Sequence, residues 1–239
     1  MFYFDNIKGK KILKSDLIEN AFFTTRDICI FDKNDSAITT NYINDNIKII
    51  ESYLNKKLIS PIQTHSANIA LASQIQSNYP DTDGLILTNK SQAIFLNFAD
   101  CVPLIFYDHK QNIGAISHAG WRGTAKQIGP LTVKKLVKEL NSNIKDIRVL
   151  IGPAICGNCY VVGEEVYKML VNNPRPNSFP IKENIHIDLK EINRKQLAQI
   201  GIEKIDICPY CTCCDNEYFF SYRKENGTTY RHSAIMTLK

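Results

Sequence analysis

Between residues 68 and 117 the chain carries a close succession of short apolar runs, at 68–72, 85–88, 93–98, 104–107 and 113–117. They are rich in Ile, Leu, Phe and Val, too short for helices, and lack the polar alternation of a half-exposed strand. Such runs read as strands buried on both faces. A chain built on them must cover both sides of a sheet, with helices or with a second sheet. An all-helical bundle and a single exposed sheet are both excluded.

The covering elements are visible. Residues 42–57 place Ile43, Ile47, Ile50 and Leu54 at helical spacing. Residues 124–140 carry Ile128, Leu131, Leu136 and Leu140 on one face, with Gly129 and Pro130 as an interruption. Helices are also expected at 164–171 and 190–200, and strands at 148–151, 185–189 and 205–207. Short strands are expected before Asn34, at Ile12 and Leu13, at 21–23 and at 28–31. The polar turn 108–112 predicts an antiparallel hairpin, and Asn226-Gly227 predicts another, joining 218–222 to 229–236. Residues 172–180 read as a loop. Helices and strands are interspersed without a repeat, a low-complexity tract or a long linker, so residues 1–239 are expected to form one α/β domain with mixed sheets.

Composition narrows the function. At 239 residues, 44% hydrophobic and 22% charged, the chain can bury a full core, which excludes a disordered or fibrous protein. No apolar run approaches the roughly 20 residues of a bilayer span, and the first residues lack the apolar core and cleavage site of a secretory signal. A soluble, cytoplasmic protein without membrane partners is expected. The surplus of +5 charges is scattered along the chain, so a nucleic-acid partner is not implied. In such a chain eight cysteines read as metal ligands, reactive thiols or buried apolar residues rather than disulfides.

Three segments place a metal-ligating side chain at the end of a predicted strand: Gln63-Thr64-His65, Ala99-Asp100-Cys101-Val102-Pro103, and Ser117-His118-Ala119-Gly120-Trp121-Arg122-Gly123-Thr124. Ligands collect at strand ends, where loops converge on a rigid scaffold. His65, Cys101 and His118 would supply the three protein ligands of a catalytic zinc site with a fourth position open. A metal held this way lowers the pKa of bound water to about 7 and polarises a substrate atom. On residue type alone, a cysteine such as Cys101 in an apolar strand is more often a buried small hydrophobe than a ligand, and a histidine before glycine, such as His118, could simply bond a backbone carbonyl. Asp100 is the only carboxylate adjacent to the trio in sequence and is expected to orient a ligand histidine from behind. Gly120 and Gly123 flank Arg122 just before a helix expected to start at Thr124. This turn suits a phosphate or carboxylate, or the glycines simply make it tight.

Two Cys-x-x-Cys spacings, Cys156/Cys159 and Cys208/Cys211, with Cys213-Cys214 nearby, leave open a second, structural zinc site. Other chemistries are conceivable too. Cys101 with His118 would make a cysteine hydrolase. Cys with two His would make a blue-copper centre. Five histidines in all cannot furnish both that centre and the three-copper cluster of a laccase. A non-enzymatic sensor of nucleosides or peptidoglycan precursors is a further class.

Gln63-x-His65, Asp83-Gly84-Leu85, Ala99-Asp100-Cys101-Val102-Pro103-Leu104 and His118-Ala119-Gly120-Trp121-Arg122-Gly123-Thr124 together resemble the YfiH family. So do Ile151-Gly152-Pro153-Ala154-Ile155, Cys159-Tyr160-x-Val162-Gly163, Cys211-Thr212, Phe219-Phe220-Ser221-Tyr222-Arg223 and Arg231, in the same order along nearly the whole chain. Members were once labelled laccase-like multicopper polyphenol oxidases and are now described as purine nucleoside phosphorylases. The resemblance implies an α/β/β/α layered sandwich and zinc on His65, Cys101 and His118, with copper as an alternative or adventitious metal. It implies phosphorolysis of adenosine, inosine and S-methyl-5'-thioadenosine, with adenosine deamination. Purine nucleosides and inorganic phosphate would be the partners, contacted by Arg26, Gly120, Arg122, Gly123 and Arg223. Two departures stand out. Thr25-Arg26 is followed by Asp27-Ile28-Cys29 instead of the family's glycine-rich stretch, and Tyr230-Arg231 replaces the usual Gly-Arg.

Overall fold

The computed structural model describes residues 1–33, 37–73, 78–171 and 185–239. Its strands are β1 (Phe2–Ile7), β2 (Lys10–Ser15), β3 (Ala21–Thr24), β4 (Phe31–Asp32), β5 (Lys57–Ile59), β6 (Ile69–Leu71), β7 (Gly84–Leu87), β8 (Gln92–Phe98), β9 (Val102–Asp108), β10 (Ile113–Ala119), β11 (Ile147–Ile151), β12 (Val161–Val162), β13 (Ile185–His186), β14 (Lys204–Ile207) and β15 (Tyr230–Thr237). The helices are α1 (Ala37–Leu54), α2 (Trp121–Ala125), α3 (Ile128–Leu140), α4 (Glu164–Val171) and α5 (Leu189–Gln199). None of the helices among the described residues is long and apolar enough to cross a membrane.

Two mixed sheets lie face to face. The first has the order β1-β2-β3-β15-β8-β5, with β4 paired to β15, and the second has the order β14-β11-β9-β10-β7-β6. The continuous apolar runs of β7, β8, β9 and β10 follow from burial on both sides, whereas β6, read as another such strand, is an edge strand with Leu71 exposed. In β8, Ile94, Leu96 and Phe98 point between the sheets, while Ala93 and Phe95 point outward under α1 beside Ile50 and Ile235. In the second sheet, Ile105, Ile116 and Leu150 face the first sheet. Leu104, Phe106, Ala115, Val149 and Ile151 face Ile128, Val133 and Leu136 of α3 and Leu197 of α5. Helix, sheet, sheet and helix thus form the expected four layers, held by three apolar clusters.

The predicted hairpin across 108–112 is β9 and β10, in register from Asp108 with Ile113 to Val102 with Ala119. Other expectations are corrected. The helix read over 124–140 is two helices: α2 starts at Trp121, and the chain breaks at Gln127, which is left-handed with φ 58°. Pro130 then sits in the first turn of α3, where its missing N–H costs nothing. The segment 185–189 is a strand only at Ile185–His186. Asp188 caps α5 instead, its side chain accepting from the Glu191 amide. Of the strand expected at 28–31, only Phe31 belongs to one, the short β4. The hairpin over 218–236 does not form. Residues 218–222 are irregular, because Glu225 captures the Ser221 amide and the Asn216 side chain, while β15 pairs with β3, β4 and β8. The loop expected at 172–180 lies outside the described residues.

Candidate active site

His65, Cys101 and His118 come together from distant parts of the chain. His118 is near the end of β10, Cys101 lies in the link from β8 to β9, and His65 lies in the irregular segment before β6. Their ligating atoms all fall within 4.8 Å of one another. The His65 Nε2 is 3.9 Å from the Cys101 Sγ, and the two imidazole rings meet at 67° with centroids 4.8 Å apart. His118 is buried, Cys101 half-buried and His65 exposed, so the open side of the trio faces outward.

Asp83, just before β7, organises both histidines. Its Oδ1 meets His118 Nδ1 at 2.7 Å and accepts the His65 amide at 3.1 Å. Its Oδ2 accepts the amides of Thr64 and Ser66 and the Ser66 hydroxyl. The carboxylate therefore closes the loop that carries one ligand and turns the free Nε2 of the other toward the centre. Gln63 adds a second tie: its side-chain amide donates to the Asn97 carbonyl and accepts from the Asn97 amide, like an extra residue on the edge of β8. Gly84 follows Asp83 because a Cβ there would lie 2.7 Å from Ile69 Cγ1.

The Asp100 expectation is corrected here. Asp100 is left-handed with φ 81°, so the strand does not run through it, and His65 is left-handed too, with φ 64°. These sparsely populated conformations aim the two loops at one point. The Asp100 carboxylate accepts from the Thr212 hydroxyl at 2.6 Å and the Arg223 amide at 2.7 Å. It braces the far wall of the site, and Asp83 orients the ligand. Asp83 escapes local inspection because Asp-Gly before a strand reads as an ordinary turn.

Electrostatics couple the trio. Burial pushes the Cys101 thiol up, but His118 and then His65 outweigh it and bring it to about 6. Burial also lowers His118, yet the Cys101 charge and Asp83 lift it to about 9. Asp83 resists burial through His118 and the loop amides, which hold its carboxyl well below the usual range.

The trio opens on a cavity of about 790 Å³. Arg122, Arg223, Arg231 and Lys33 bring positive charge to its walls, and Phe31, Trp121, Tyr160 and Tyr222 bring aromatic surface. Arg122 stacks on Trp121 at 4.1 Å, and Arg223 donates to the Val161 carbonyl at 2.9 Å. Burial and the nearby Cys101 charge push the Tyr160 phenol up to about 12, leaving it a hydrogen-bond donor.

Arg26 is not brought to the cavity. Its guanidinium donates to Glu225 and the Asn216 carbonyl and stacks on Phe220, with centroid distance 4.4 Å. Of the two readings of Gly120 and Gly123, the tight turn has direct geometric support. A Cβ on Gly120 would lie 2.9 Å from Cys101 Sγ and 3.2 Å from the His65 ring, and one on Gly123 would lie 2.9 Å from the His118 carbonyl oxygen. Both allow the turn to close on the ligands.

Two imidazoles and a thiolate this close together could hold a metal ion, and the donor types suit zinc. Among the described residues the other three histidines join neither group of candidate metal ligands. His109 bonds the Asp146 carbonyl and His186 the Gly157 carbonyl. His232 is packed between Phe98 and Phe219.

A two-sheet α/β sandwich with a His/Cys group able to hold a metal ion at the edge of a cationic, aromatic cavity defines the class. Residues 33–239 match the family described as Multi-copper polyphenol oxidoreductase laccase, and the chain belongs to that family. Purine nucleoside phosphorylase YlmD of Bacillus subtilis is 37% identical over 164 residues, which cover 66% of this chain and 59% of that protein, less than two thirds of its length. Adenosine deaminase RL5, from an unknown prokaryotic organism, is 30% identical over 189 residues, 70% of each chain. The solved structure of YlmD from Geobacillus stearothermophilus aligns with a TM-score of 0.86 at 26% identity, over 99% of this chain and 98% of that one.

Proposed function

We propose that residues 1–239 act as one domain and form a zinc-dependent purine nucleoside phosphorylase. It cleaves adenosine, inosine and S-methyl-5'-thioadenosine to base and ribose 1-phosphate (or its 5-methylthio analogue), and it deaminates adenosine. The observation that carries this reading is the opening of the His65, Cys101 and His118 trio onto a cavity walled by Arg122, Arg223 and Arg231. The names of the relatives support the substrate class.

His65 Nε2, Cys101 Sγ and His118 Nε2 would hold the zinc. When bound, it supplies a Lewis acid and lowers the pKa of water. The chain itself does the positioning. Arg122, Arg223 and Arg231 hold phosphate as a charged fork, with Gly120 and Gly123 keeping the turn under Arg122 closed on the site. Phe31, Tyr160 and Tyr222 offer faces and edges to the purine and ribose. The Tyr160 hydroxyl donates to an acceptor on the nucleoside, and Asp100 keeps the Arg223 segment in place through its amide. Holding phosphate against the sugar carbon in the cavity supplies much of the rate.

The test is incubation of metal-replete protein with each nucleoside, with and without phosphate, followed by separation of bases from nucleosides. Base release only with phosphate is expected, together with inosine from adenosine. Base release without phosphate would make the protein a hydrolase, and tight binding without turnover would make it a sensor.

A second reading draws on one observation: Asp83, His118 and Cys101 are also arranged as orienter, base and nucleophile. A cysteine hydrolase would keep full activity in chelator and lose it to iodoacetamide. The phosphorylase should lose activity to the chelator and recover it on zinc addition.

A further inference from the structure

A second cluster lies outside the cavity. Cys156 and Cys159 come from the loop between β11 and β12, and Cys211 and Cys214 from the turns that follow β14. Their four sulfurs all lie within 4.8 Å of one another. We propose that these four cysteines form a structural site for a single zinc ion, separate from the catalytic trio.

Four observations carry it. The first is the ligand set: two Cys-x-x-Cys turns facing each other, a donor pattern of structural zinc. The second is scale. Four sulfurs at about 2.3 Å from one ion sit about 3.8 Å apart, and the Cys159 and Cys214 sulfurs are already 3.4 Å apart. An iron–sulfur cluster would need them spread well beyond that spacing. The third is backbone geometry. The amides of Cys159 and Tyr160 both donate to the Cys156 carbonyl, curling the first pair into a tight turn. The amides of Cys156 and Cys214 point at the Cys211 sulfur, at 3.2 and 3.4 Å, as donors do toward a thiolate. The fourth is redundancy of the scaffold: Ala154 and Cys211 form a β-bridge, and the Asp215 carboxylate fixes the Cys211 amide, so the two turns are presented to each other before any ion arrives.

The structure also corrects the pairing read from spacing. Cys208 is buried in the core between the sheets and does not join the cluster, whereas Cys214 does. On binding, the thiols surrender their protons to solvent and no electrons move. The ion would tie the turn before Tyr160 to the turn carrying Thr212, the residue that holds Asp100. It would thus fix two walls of the cavity without touching substrate.

Zinc per chain, measured on protein purified under reducing conditions, tests the proposal. Two equivalents are expected in the unaltered protein, one in Cys101→Ala and one in Cys159→Ser with Cys214→Ser. Cys208→Ser should keep both. If the double variant does not fold, the unaltered protein still decides: Cys156, Cys159, Cys211 and Cys214 should resist alkylation until a strong chelator is added. Zinc absent from Cys101→Ala, iron in place of zinc, or a disulfide joining Cys159 to Cys214 in the reduced preparation would each overturn it. Failure of the catalytic reading alone would instead leave the double variant without zinc and Cys101→Ala with its full complement.

Discussion

Asp83 and His118 share a 2.7 Å contact between carboxylate Oδ1 and ring Nδ1, with both side chains almost closed to solvent. That one contact decides which ring nitrogen His118 offers to a metal. The same carboxylate holds the backbone of the His65 loop, so the two imidazole ligands are positioned by a single residue.

Asp83→Asn should therefore weaken zinc binding at the trio by about 10–100-fold, the usual effect of losing a partner behind a ligand. Competition with a coloured chelator measures it. Unchanged affinity would show that the loop and ring hold their places without the charge.

Zinc uptake should depend on pH in a defined window. The Cys101 thiol titrates near 6 and His118 near 9, so between these values the pair holds one proton, thiolate facing imidazolium. A bound ion needs both groups unprotonated, so uptake expels that proton and affinity should rise about tenfold per pH unit across the window. Above about 9 it should level off. A flat profile from 6 to 9 contradicts the coupling.

Gly120→Ala should empty the trio while sparing the fold. Gly120 has φ −66° and ψ 176°, which alanine adopts freely, so the penalty comes from the new methyl, 2.9 Å from Cys101 Sγ and 3.2 Å from the His65 ring. Overpacking of this kind costs about 1–3 kcal/mol. Thermal denaturation should show a modest loss, and metal analysis a full loss at this site. Normal zinc content in this variant would mean that the ligands can move aside.

Arg122→Ala should raise the KM for phosphate by about 10–100-fold, the worth of one charge-assisted hydrogen bond of roughly 1.5–3 kcal/mol. The side chain is exposed and stacked only on Trp121, so folding should be untouched. An unchanged KM would remove Arg122 from the phosphate site. Arg26→Ala, by contrast, should leave that KM alone and lower stability, because Arg26 ties Glu225 and the Asn216 carbonyl.

The inner strands are legible because burial on both faces leaves no room for polar residues: the run 93–98 announces its own environment. Phe2–Ile7 does not, since it is an edge strand with Tyr3 exposed and little alternation. The aromatic run at 218–222 misleads for a different reason. Its strand propensity is real, but the Glu225 carboxylate competes for the Ser221 amide and wins. At the site, His65, Cys101 and His118 are recognisable as residue types and by family resemblance, while their convergence depends on pairing between distant segments. Gln63 and Asp83 stand in the motifs, and Cys211-x-x-Cys214 has the same spacing as Cys208-x-x-Cys211, but what each side chain holds becomes visible only in three dimensions. Nothing in their local sequence separates a loop-closing carboxylate from a turn residue, or a ligand thiol from a core one.

The placement of β15 bears on how the molecule is made. Ser233 in that strand bonds Thr24, 209 residues earlier, and Asn97, 136 residues earlier. Until Tyr230–Thr237 slots between β3 and β8, the first sheet is two unjoined halves with raw edges. Closing loops of that span comes late and slowly, and exposed edges recruit neighbours. Tyr230–Thr237 is thus the seam whose pairing seals the open edges of both halves.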